Sequence, residues 1–75
     1  MRYITISGNS VALKDVHKVV FFEDDQLVDI QYKEAPTETY PWDEVEDLVE
    51  KRKQLTNLKL AKTCYSRIHG GNHGV

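Results

Sequence analysis

The chain predicts a small α+β fold: an antiparallel β-meander of four or five short strands, with one C-terminal helix packed on one face. Three observations carry this. Short β-branched and aromatic runs up to residue 33 are punctuated by turn residues, Gly8-Asn9 and then Glu23-Asp24-Asp25-Gln26. Apolar residues from Pro41 onward recur at helical spacing instead. Seventy-five residues make a single domain. A chain of this size buries only about 60% of its unfolded surface, so its core is small.

The first hairpin is expected around Gly8-Asn9, whose leading glycine permits the positive φ of a type II′ turn. Pairing residues 2–7 with 10–13 sets Ile6 opposite Val11 and Ile4 opposite Leu13, all four on one face. Lys14-Asp15 is a short turn. Residues 16–22 and 27–33 form a second hairpin, with Phe22 facing Leu27 and Phe21 facing Val28. One of its faces gathers Val19, Phe21, Val28, Ile30 and Tyr32, with His17 near the end. The other gathers Val16, Val20, Phe22 and Leu27 among Lys18, Asp29 and Gln31. The 16–22 strand is therefore apolar on both sides. Either a terminal segment covers its back, or that back is a contact patch.

Residues 34–37 make a turn and residues 38–40 a short edge strand, beside which Pro36 withholds a ladder donor. Pro41 then opens the helix, because proline costs nothing at a first helical position. Asp43, Glu44, Glu46 and Asp47 fall in its first two turns and Lys51, Arg52 and Lys53 follow, the order that the helix dipole favours. Trp42, Val45, Leu48, Val49, Arg52 and Leu55 form its inner stripe. A helix running from residue 41 to 63 would be about 35 Å long, against about 20–24 Å for the strands. It would overhang the sheet, unless residues 58–68 contain a short strand. The domain is placed at 1–65, and residues 66–75 read as a flexible tail.

Charge is divided along the chain. The first fifty residues hold all twelve acids against four cations, a net of −8, and the last twenty-five hold six cations and no acid, +6. Such a split points to interaction surfaces more than to a catalytic pocket. One cysteine, Cys64, excludes an intrachain disulfide and suits a reducing, cytoplasmic setting. No apolar run approaches the ~20 residues that span a bilayer, so no membrane partner is expected. Phosphate-cradling loops, nucleophile elbows and positioned Cys/His pairs are absent from the sequence, so the chain is read as non-enzymatic and without a cofactor.

The leading candidate surface is acidic and apolar: Asp24, Asp25, Asp43, Glu44 and Asp47 with Val20, Phe22 and Leu27. It fits a basic protein partner, provided that the two acidic clusters lie near each other. That makes the chain a small regulator or inhibitor, a class that includes phage-encoded proteins acting on host machinery such as transcription. The alternatives are nucleic-acid binding through Lys59, Lys62 and Arg67, and self-association into a homo-oligomer. Cys64, His69 and His73 have the spacing C-x4-H-x3-H, a weak zinc pattern that lacks a fourth local ligand; His17 or a partner chain would have to supply it.

Overall fold

The computed structural model describes residues 3–66. In chain order the elements are β1 (Tyr3–Ile6), β2 (Asn9–Ala12), a 3-10 turn (Leu13–Asp15), β3 (Val16–Phe22), β4 (Leu27–Tyr32), β5 (Glu38–Pro41), a second 3-10 turn (Trp42–Glu44), α1 (Leu48–Asn57) and β6 (Ala61–Cys64). This is a small α+β fold of two sheets and one helix. β1 and β2 form a separate hairpin, and the main sheet has the order β5-β4-β3-β6. β3, β4 and β5 are successively antiparallel, whereas β6 runs parallel to β3. α1 therefore carries the chain from one edge of the main sheet to the other, the crossover that a parallel neighbour requires.

One face of the sheet bears the core. Val19, Phe21, Val28 and Ile30 are fully buried there under Ile4 and Ile6 of the first hairpin and Leu55 of α1. The register Phe21↔Val28 and Phe22↔Leu27 is the expected one.

Four details differ from expectation. The first hairpin turns at Ser7-Gly8, both with positive φ (52° and 81°), as in a type I′ turn. Ile4 therefore opposes Val11, and Ile6 opposes Asn9. Second, β3 breaks register between Val16 and Lys18. This bulge turns Val16 into the core and leaves His17 exposed. Third, the helix begins at Leu48, not Pro41. Pro41 is the last residue of β5 and Val45 is extended. The cause is long-range: Val45 bridges Ile6, Ser7 N–H donates to the Glu44 carbonyl at 2.9 Å, and Glu46 N–H donates to that of Thr5 at 2.9 Å. Segment 44–46 is thus held along β1 as an extended strip, and these long-range bonds override the local helix signals. Fourth, α1 has ten residues and does not overhang. Of the two possibilities for the C-terminal part, β6 is the one observed.

α1 ends in a Schellman motif. Leu60 N–H donates to the Leu55 carbonyl at 2.8 Å and Lys59 N–H to that of Thr56 at 3.0 Å. Lys59 supplies the left-handed residue with φ 62°. Leu55 and Leu60 both reach the core cluster, the apolar contact that accompanies this cap.

Candidate functional site

Trp42 joins the two acidic clusters. Its backbone N–H donates to the Gln26 carbonyl at 2.9 Å and its indole Nε1–H to the Leu27 carbonyl at 2.6 Å. Its ring meets Phe21 edge-on, with centroids 6.2 Å apart. These contacts pin the segment after β5 against the β3–β4 turn, so that Asp24 and Asp43 belong to one end of the molecule. Asp24, Asp43, Glu44, Glu46, Asp47 and Glu50 are exposed, and Asp25 is half-buried.

The helix dipole does not account for this end. Asp47 is the residue before α1, in the left-handed region with φ 54°, and its side chain caps nothing. Glu50 is the only acid of the first turn, and the last turn has no base. Asp43, Glu44 and Glu46 precede the helix altogether. Glu44 has a separate structural role, accepting a hydrogen bond from the Ser7 hydroxyl.

Arg52 closes the acidic end from the side. Its guanidinium donates to Glu23 and to Thr63 Oγ1, the latter at 3.1 Å. It also lies 5.1 Å from the Phe21 ring centroid and 5.3 Å from that of Trp42. Beside it runs a shallow groove lined by Trp42, Leu48, Val49 and Thr56. Val49 was expected on the inner stripe; it is 76% exposed on this outer wall, because the late helix start leaves only Leu48, Arg52 and Leu55 turned inward. Of the apolar candidates on the back of the sheet, Val20 and Phe22 are buried, 5% and 8% exposed, while Leu27 is half-buried. Side chains so covered offer little to a partner.

The cations gather elsewhere. Lys18 Nζ donates to the Lys59 carbonyl at 3.4 Å, and Lys62 pairs with Val20, two residues along β3 from Lys18. Lys18, Lys59 and Lys62 thus share the far corner of the sheet, beside the start of β6. Arg67, His69, His73 and the tail from residue 67 lie outside the described residues. Ser66, expected in the tail, is buried, and its hydroxyl donates to Asp25 at 3.3 Å. Cys64 is half-buried on β6. It pairs with Phe22, five residues along β3 from His17, a separation of about 17 Å at the rise of a strand. His17 cannot complete a metal site with it, and no cluster of potential metal ligands occurs among the described residues.

One arrangement had no forewarning in the sequence. The Tyr32 and Tyr40 hydroxyls both donate to Glu38 Oε1, at 2.8 and 2.7 Å. Burial, and then the hydrogen bond to Glu38 with its charge, raise Tyr32 to about 12. The hydrogen bond to Glu38 likewise raises Tyr40. The two donated bonds, Tyr40's first, lower Glu38. The pairing Val28↔Tyr40 and Ile30↔Glu38 brings the three side chains to one face; only that register, not spacing along the chain, reveals it.

Comparison with protein families, curated proteins and solved structures finds no match to this chain. No helix among the described residues is long and apolar enough to cross a membrane.

Proposed function

We propose that the chain is a small non-enzymatic interaction module, a regulator or inhibitor that binds a basic segment of a protein partner through its acidic end. Asp24 and Asp43 contribute the exposed charge, with exposed Asp47 at the start of α1, and the groove of Trp42, Leu48 and Val49 supplies the apolar contact. The observation that carries this reading is the backbone bond from Trp42 to Gln26. It ties the segment that carries Asp43 to the turn that carries Asp24, about twenty residues apart in sequence, which supports one shared acidic surface. A carboxylate cluster of this kind raises association rates and selects cationic partners.

Affinity capture from the source lysate, with and without nuclease, tests it. The reading expects a protein that survives nuclease treatment and is lost on combined Asp24→Lys and Asp43→Lys substitution. Glu44 and Asp47 are poorer probes, since one accepts the Ser7 bond and the other holds a left-handed backbone. Equal capture by the doubly reversed chain would refute the reading.

A further inference from the structure

The two edges of the main sheet are not equivalent. On β5, the Trp42–Gln26 bond and the register Val28↔Tyr40 fix which residues bond to β4. Glu38 and Tyr40 face inward, so the backbone groups of Thr39 and Pro41 face outward. Pro41 has no N–H to offer, and this edge is blunted. On β6, Val19 N–H donates to the Leu60 carbonyl at 2.7 Å and Glu23 N–H to that of Cys64 at 2.9 Å. Leu60, Lys62 and Cys64 therefore bond toward β3. The N–H and C=O groups of Ala61 and Thr63 point away from the sheet, with no partner among the described residues. Neither proline nor bulge interrupts this edge.

We propose that β6 accepts an extended, acidic segment of a partner protein as an added strand, a second surface distinct from the acidic end. The ladder of Ala61 and Thr63 supplies backbone bonds, and charge selects the occupant. Lys18, Lys59 and Lys62 crowd the start of β6, and no acid lies anywhere in residues 51–75. At the other end of the strand, Glu23 is engaged by Arg52 and Asp25 by Ser66, while Asp24 lies beside Tyr65, so the occupant's acids belong at the Lys59–Lys62 end. A second copy of this chain fits poorly, since pairing β6 antiparallel with itself, Ala61 opposite Thr63, sets Lys62 against its own counterpart. Nucleic acid fits less well than a strand. The corner holds three cations, and the exposed ring of Tyr65 lies past the far end of β6, away from them, while the exposed backbone groups match a polypeptide.

The probe is a fluorescently labelled, end-blocked peptide of alternating Glu and Val, titrated against the full chain and read by anisotropy. Two further versions carry N-methyl groups at its odd or its even positions. Saturable binding of the parent is expected, with one methylated version binding and the other failing, because an added strand turns only alternate N–H groups to the edge. Lys62→Glu should weaken the parent by about tenfold. Thr63→Pro, which removes an outward N–H, should abolish binding with the fold checked by circular dichroism; the methylated peptides make the same test on the unaltered chain. Equal binding of both methylated versions, or no parent binding at low salt, would overturn the proposal. So would a low-salt gel shift of single-stranded DNA that Lys62→Glu removes while peptide binding is unaffected, or a dimer in sedimentation equilibrium that Thr63→Pro dissociates.

Discussion

Arg52 ties α1 to three other segments. It touches β3 through Glu23 and Phe21, β6 through Thr63, and the segment after β5 through Trp42. The pair with Glu23 is partly solvated, 29% and 41% exposed, so its own worth is small; stacking on two rings adds to it. Arg52→Ala should lower stability by about 1–2 kcal/mol in urea denaturation. Arg52→Lys should recover less than half, because an ammonium neither forks between Glu23 and Thr63 nor stacks. Lys59 makes the opposite case. A lysine in the left-handed region at a helix end is strained where glycine is not, so Lys59→Gly should raise stability by about 0.5–1 kcal/mol with an unchanged denaturant slope. The Tyr32–Glu38–Tyr40 group couples folding to pH at both extremes. Tyr32 is raised in the folded chain, so its contribution is complete below 10.0 and is lost as pH rises through about 12. Glu38 is lowered, so its contribution is complete above its ordinary 4.5 and fades as pH falls through the depressed value. In an alkaline absorbance titration, Tyr32→Phe should remove the last phenolate to appear.

Among the elements, the second hairpin was readable and the first only partly so. Centring that hairpin on residues 23–26 sets Phe22 opposite Leu27 whether two or four residues turn, which fixes its register. In the first hairpin a two-residue slip keeps Ile4 and Ile6 on the same face, so the apolar pattern cannot choose between turns at Ser7-Gly8 and Gly8-Asn9. The bulge at His17 was hidden for a similar reason, since valine and histidine both suit a strand. Pro41 was ambiguous because it serves equally at the first position of a helix and on a sheet edge. What decides is Val45, whose bridge to Ile6 spans thirty-nine residues of sequence and lies beyond any local rule. That same bridge keeps the acidic strip out of the helix, so the site and the late helix start have one cause. Pro41 also makes a prediction of its own. Pro41→Thr restores an outward N–H to β5, and sedimentation at rising concentration should show more self-association than in the parent chain.

At the scale of the whole molecule, a charge split in sequence becomes a charge split in space. The β3–β4 turn and the Trp42–Glu44 turn form an acidic end, and Lys18, Lys59 and Lys62 form a basic corner at the other end of β3. Helix dipole complementarity explains little of it, since Asp43, Glu44, Glu46 and Asp47 stand before α1 and its last turn holds no base. The sequence showed the split and named Asp24, Asp43, Lys59 and Lys62; their grouping depends on the Trp42 anchor and on β6 docking parallel to β3, both long-range events. Because Trp42 holds the acidic end together, Trp42→Ala should weaken partner capture as well as cost about 3 kcal/mol of stability, the latter measured in urea. The most direct test is amide hydrogen exchange on the chain, free and bound to the captured partner. Slowed exchange confined to residues 24–26 and 42–49 is the expected footprint, and a footprint that leaves both segments unchanged would contradict a partner held at the acidic end.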